Sequence, residues 1–96
     1  MQSQRFVVEK IPLDQAKRII GIASRHAASP EEMRWIIPAI KKFREIYQGR
    51  PSEAAAAVGL PRASIQRWMT GGGYPGKGNI KRFAAACASI GIEVVE

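Results

Sequence analysis

Ala16, Ile19, Ile20, Ala23 and Ala27 recur at helical spacing, the first of several apolar stripes along a chain that is polar between them. A helix beginning after Asp14 carries that stripe, with the Asp14 carboxylate capping the free N–H groups of the first turn. Gly21 weakens this helix by about 1 kcal/mol relative to Ala. SPEE, residues 29 to 32, marks the next start: Ser29 as N-cap, Pro30 at the first helical position and Glu32 closing a capping box. Pro38 then interrupts MRWIIPAIKKF. Proline disfavours a helical conformation at the residue before it, so the pattern predicts a helix ending near Ile36 and another from Pro38 to about Gln48. Ile40, Phe43 and Tyr47 form the buried stripe of the latter, while Lys41, Lys42, Arg44 and Glu45 face water.

Beyond Gly49 the elements shorten. Helices are predicted over roughly 52–58 and 62–69, with Gly59 in the turn between them, and a last one over about 79–90. In that last helix Ile80, Phe83, Ala84, Cys87 and Ile90 fall within one arc of about 120°, a core stripe. Two β-branched runs lie outside the helices, FVVEKI (6–11) and IEVV (92–95), and both read as strands. They could pair with each other, within one chain or across a dimer. The sum is a mostly α domain of five to six helices with short terminal β-strands.

SEAAAAVGLPRASIQRW, residues 52 to 68, is the most informative segment. Two short helices joined by a three- or four-residue turn containing Gly make the DNA-binding helix-turn-helix pattern. Ala54 to Ala57 let the first helix cross the second closely, and Gly59 takes a turn conformation that a Cβ opposes. Val58, Leu60 and Ile65 plug the angle between the two. On the second helix, Arg62, Ala63, Gln66 and Arg67 share one face, and Ile65 and Trp68 lie on the other. One side is thus anchored in the core and the other is shaped for the major groove. Arg pairs with guanine, Gln with adenine, and an Ala methyl touches the thymine methyl.

The charge agrees with that reading. Fifteen Lys and Arg against eight Asp and Glu give 96 residues a formal net charge of +7, which favours a polyanionic partner. Residues 41 to 82 hold nine of the bases and two of the acids, so the whole excess lies there; the remainder balances at six of each. One domain fits the length. A lone Cys87 allows no internal disulfide, no Cys/His spacing resembles a metal site, and no cofactor is called for. The N-terminus lacks a signal-peptide core and no apolar run is long enough for a membrane span, so a cytoplasmic location with no membrane partner is expected.

Residues 38 to 92 resemble the lambda repressor/Cro-like helix-turn-helix family. The resemblance runs through Ala55, Gly59, Leu60, Ile65 and Trp68, then Gly71, Pro75, Ile80, Phe83, Ala84 and Ile90–Gly91–Ile92, at the family's spacings and without insertion. It implies base-reading roles for Arg62, Ala63, Gln66 and Arg67. It also implies phosphate contacts at Ser52 and, around the loop and the start of the last helix, at Lys77, Asn79 and Lys81; Tyr74 at the loop tip reads either as a stacking or phosphate contact or as a solvent-facing turn residue. Two positions depart from the pattern. Pro51 replaces the polar residue, commonly Gln, that caps the first motif helix, and Pro61 replaces the usual Ser or Thr cap of the recognition helix. Residues 1–30 lie outside the family core as an N-terminal extension, a strand plus a helix, offering a dimer or protein-partner contact; residues 31–96 make the helix-turn-helix DNA-binding domain.

GGGYPGKG, residues 71 to 78, approaches a nucleotide-binding Walker loop but differs from it in chemistry. Such a loop follows a buried strand and ends in Lys-Ser/Thr; here it follows a helix, Gly78 replaces the hydroxyl residue, and Pro75 lacks a backbone N–H. It reads instead as a flexible connector, or plain helix terminator, that lets Lys77 approach a phosphate. His26 reads as a surface or helix-end residue, Cys87 as a small buried hydrophobe, and Trp35 as core or, if exposed, a dimer contact. With no catalytic constellation, the expected function is a sequence-specific transcriptional regulator, most simply a repressor of phage or plasmid type. It would bind double-stranded DNA as a homodimer. The rival reading is an antitoxin that autoregulates through the same motif and binds a small protein partner through residues 1–30.

Overall fold

FVVE and IEVV pair within the chain. In the computed structural model, which describes residues 5–20, 28–71 and 73–96, β1 (Phe6–Glu9) and β2 (Ile92–Val95) form a two-stranded parallel sheet in the register Phe6↔Ile92 to Glu9↔Val95. Between them run α1 (Leu13–Ile20), α2 (Pro30–Ile46), α3 (Pro51–Val58), α4 (Arg62–Met69), a 3-10 turn (Lys77–Asn79) and α5 (Ile80–Ser89). The described residues are therefore mostly helical, with five α-helices.

α2 is one continuous helix, although a break at Pro38 was expected. Proline removes one backbone N–H and so leaves the carbonyl four residues earlier without its helical partner. Here that carbonyl belongs to Arg34, and it accepts the Ile11 N–H at 3.0 Å. The Arg34 Nε donates back to the Ile11 carbonyl at 2.9 Å. The chain leaving β1 thus fills the gap that Pro38 opens, and the helix has no reason to stop. Ser29 caps its start as expected, its Oγ accepting the Glu32 N–H at 3.2 Å, while the Glu32 carboxylate accepts from Ser29 Oγ at 3.1 Å rather than from the Ser29 backbone N–H that a capping box would use.

α1 begins at Leu13, so Asp14 lies inside the first turn rather than capping it, where its charge still faces the free N–H end. Gly21, Ala23, His26 and Ala27 lie outside the described residues.

One core joins all these elements. Val8 and Ile92 from the sheet, Ala16 from α1, Ile36, Ile40 and Phe43 from α2, Ile65 and Trp68 from α4, and Phe83 and Cys87 from α5 are buried together. Phe83, fully buried, is the hub: Trp68 meets it edge-on at 5.5 Å between ring centroids, Trp35 stacks on it at 5.8 Å, and Phe43 lies at 6.4 Å. Trp35 is thereby part of the core packing. On α5 the buried residues are Phe83, Ala86 and Cys87, and Ala84 is exposed, contrary to the expected stripe. The helix presents an arc centred on Phe83, and Ala84 falls off its edge, about 100° away.

Candidate nucleic-acid interface

α3 and α4 are joined at Gly59, which has φ of +71° and donates its N–H to Ala55 at 2.9 Å. A side chain there would strain the backbone although nothing lies within 4 Å of the space it would fill. Ala54 and Ala55 are buried where α3 meets its neighbours, and Ile65 and Trp68 are buried under α4. Val58 and Leu60 pack partly buried against the same core. Neither α3 nor α4 has a side-chain cap, since Arg50 and Pro61 hold the capping positions without making such a bond. The residue types account for this: the Arg50 guanidinium has no acceptor atom and Pro61 has no polar side-chain atom.

With Ile65 and Trp68 turned inward, Arg62, Ala63, Gln66 and Arg67 are all exposed on the outer side of α4. They are not equivalent. The Arg62 Nε donates to Ser52 Oγ at 2.7 Å, tying the start of α4 to the start of α3. The aliphatic stem of Arg67 lies against Gly73; a Cβ at Gly73 would come within 3.3 Å of Arg67 Cδ. Gln66 lines an open groove of about 470 Å³, whose other walls include Lys41, Arg44 and Gln48 of α2 and the following turn, and Thr70. Thr70 closes α4 by donating its hydroxyl to the Gln66 carbonyl at 2.8 Å.

The glycine loop is better anchored than a flexible connector. Pro75 is one of the largest fully buried side chains, and the loop passes into a 3-10 turn in which the Asn79 N–H bonds the Gly76 carbonyl at 2.9 Å. Tyr74 beside it is 43% exposed. Lys77 and Lys81 are exposed on either side of the turn. Asn79 is half-buried at the capping position of α5 and makes no side-chain capping bond.

Charge pairing is uneven along the chain. Within residues 41–82 the two acids are each held by a base three residues away, Glu45 by Lys42 at 2.9 Å and Glu53 by Arg50 at 3.0 Å. The Lys42 hydrogen bond and charge hold the Glu45 carboxyl below its usual range. Among the described residues that leaves Lys41, Arg44, Arg62, Arg67, Lys77, Lys81 and Arg82 without an acidic partner. Elsewhere Arg5 is matched with Glu93, Lys10 with Glu96, and Arg34 with both Glu31 and Glu96, whereas Lys17 and Arg18 on α1 have no acidic partner among the described residues. The net positive charge lies in residues 41–82, with nine bases against two acids.

Two features of this surface go beyond the sequence reading. The Ser52–Arg62 bond joins a residue assigned to phosphate with one assigned to a base, and no spacing rule links positions on different helices. Lys41, Arg44 and Gln48, by contrast, recur at helical spacing and were legible as one face, though not as the wall opposite Gln66. Among the described residues no helix is long and apolar enough to cross a membrane, and no three His, Cys, Asp or Glu side chains converge as metal ligands. No family model, curated protein or solved structure matches the chain.

Proposed function

We propose that the protein is a sequence-specific DNA-binding transcriptional regulator of the lambda repressor/Cro-like kind, most simply a repressor of phage or plasmid type that occludes a promoter. The observation that carries this reading is the outer face of α4. It combines Arg62, Ala63, Gln66 and Arg67 on a helix pinned from behind by Ile65 and Trp68, in a region where seven of nine bases lack acidic partners among the described residues. A helix held in this way and carrying bidentate donors suits the major groove, where base edges are distinguishable.

In this reading α4 lies in the groove. Arg67 and Gln66 read base edges, and Ala63 fits beside a thymine methyl. Arg62 reads a base from a position braced by Ser52. Ser52, Tyr74, Lys77, Asn79 and Lys81 take the flanking phosphates and set the register without reading sequence. One such helix covers only a few base pairs, so two chains act together on a roughly palindromic operator with half-sites about one helical turn apart.

Selection of bound duplexes from a random pool tests the proposal. The expected result is a two-fold-symmetric consensus that is lost on Arg67→Ala. Recovery of no consensus, with binding that salt abolishes uniformly across sequences, would leave only a non-specific polyanion binder and overturn the reading.

A further inference from the structure

We propose that two copies of this chain join along the free edge of β1, in antiparallel register with Val7 of each copy on the two-fold axis. The inference rests on the dimeric reading above and adds the surface that makes the dimer.

The backbone gives the edge. Phe6 donates its N–H to the Gly91 carbonyl at 2.7 Å and Lys10 to the Val95 carbonyl at 2.9 Å. In a parallel ladder alternate residues point the same way, so Phe6, Val8 and Lys10 spend their hydrogen bonds on β2. Arg5, Val7 and Glu9 therefore aim their N–H and C=O groups at the opposite edge, and among the described residues none of these N–H groups finds a partner. An open strand edge of this kind is a template for another strand.

The side chains choose the occupant. Phe6 and Val8 face the core, whereas Arg5, Val7 and Glu9 are exposed, and Val7 at 59% is the most exposed large hydrophobic residue described. With the axis at Val7, Arg5 stands opposite the partner's Glu9, Val7 opposite the partner's Val7, and Glu9 opposite the partner's Arg5. On the inner face Phe6 meets the partner's Val8, so the apolar layer continues across the seam. Sliding the axis to residue 6 or 8 sets a charge against Val7, and sliding it to residue 5 or 9 opposes like charges. Only one register gives opposite charges and apolar pairs together. Residues 5, 7 and 9 are also the ones whose free backbone groups must form the closely bonded pairs of that ladder. The result is a four-stranded sheet in the order β2–β1–β1–β2, which removes the edge from both copies. A two-stranded sheet gains most from such an addition.

Sedimentation of the free protein over micromolar to millimolar concentrations tests the seam. Wild-type protein is expected to dimerise, and Val7→Lys and Glu9→Arg to weaken the dimer by about tenfold or more. The double variant Arg5→Glu/Glu9→Arg restores the opposite pairs and is expected to recover the dimer. If Glu9→Arg and Val7→Lys dimerise as tightly as wild type, this seam is wrong, while a two-chain complex on DNA would keep the dimeric reading intact. One chain per DNA site overturns both. Amide exchange guards against a folding artefact: the Val7 and Glu9 N–H groups should become protected as concentration rises, with Phe6 and Val8 protected throughout. Unprotected Val7 and Glu9 in a dimer would overturn the proposal.

Discussion

Arg62 already holds Ser52 Oγ, while the stem of Arg67 lies against Gly73. That difference separates their expected effects. Arg67→Ala should cost about 1–3 kcal/mol on the preferred site and relax the preference at one base pair, measured by titration against a panel of single-base variants. Arg62→Ala should cost a similar amount. Ser52→Ala should reproduce part of the Arg62→Ala effect at the same base position, because the guanidinium loses its brace. If Ser52→Ala weakens every sequence alike, Ser52 acts on phosphate alone. Cys87 gives a prediction of a different kind. Burial pushes its thiol up to about 12 from an ordinary 9.0, so the folded protein keeps it protonated and unreactive at neutral pH. The sign follows directly. The unfolded thiol ionises first, so its contribution is complete below about pH 9 and is lost as the pH climbs from there toward the folded value. Thiol labelling at pH 8 should proceed only at the rate of unfolding and accelerate with denaturant. Fast labelling of native protein would contradict the burial.

At the level of elements, α2 depends on a contact that no helix rule contains. Arg34 donates to Ile11 from a half-buried position, and a hydrogen bond from a charged group contributes about 1.5–3 kcal/mol. Arg34→Ala should lower stability by roughly that amount in urea unfolding and loosen β1 before the rest. Gly59→Ala isolates the α3–α4 turn, since no atom obstructs the new methyl and the cost is conformational alone, about 1–2 kcal/mol. These two sites also mark what the sequence could disclose. The SPEE start, the Gly59 turn, both motif helices and the inward placement of Ile65 and Trp68 were legible, because each follows from spacing within one short segment. The unbroken α2 was not, because the partner that completes it, Ile11, lies in the segment after β1, more than twenty residues earlier. Ala84 was misjudged because a stripe of about 120° fits two neighbouring arcs, and only the position of Phe83 among three other aromatic rings selects between them. The face of α4 was legible as a face; Arg62's bond to Ser52 was not.

Over the whole molecule, the net positive charge is concentrated in residues 41–82, where seven of nine bases have no acidic partner among the described residues. A duplex bound there should release counterions, so log affinity should fall with log salt by about 0.9 for each phosphate neutralised. Lys77→Ala and Lys81→Ala should each flatten that slope by about one unit and leave sequence preference unchanged. Neutralising Lys17, on α1, should leave the slope as it is, which a parallel titration checks. Equal effects at all three positions would mean that the bound polyanion samples the entire surface.

The pairing of β1 with β2 joins residues 86 positions apart, as Phe6↔Ile92. It thereby sets an order of assembly. Ribosomes add about 5–20 residues each second, so β1 waits roughly 4–17 s for its partner strand to be made, while helices form within microseconds. Closing a loop of that length costs about 4 kcal/mol of chain entropy before any strand bond is gained. The α3–α4 pair, being local, can assemble before this closure. The α3–α4 pair therefore matures first, and the two-stranded sheet is completed last.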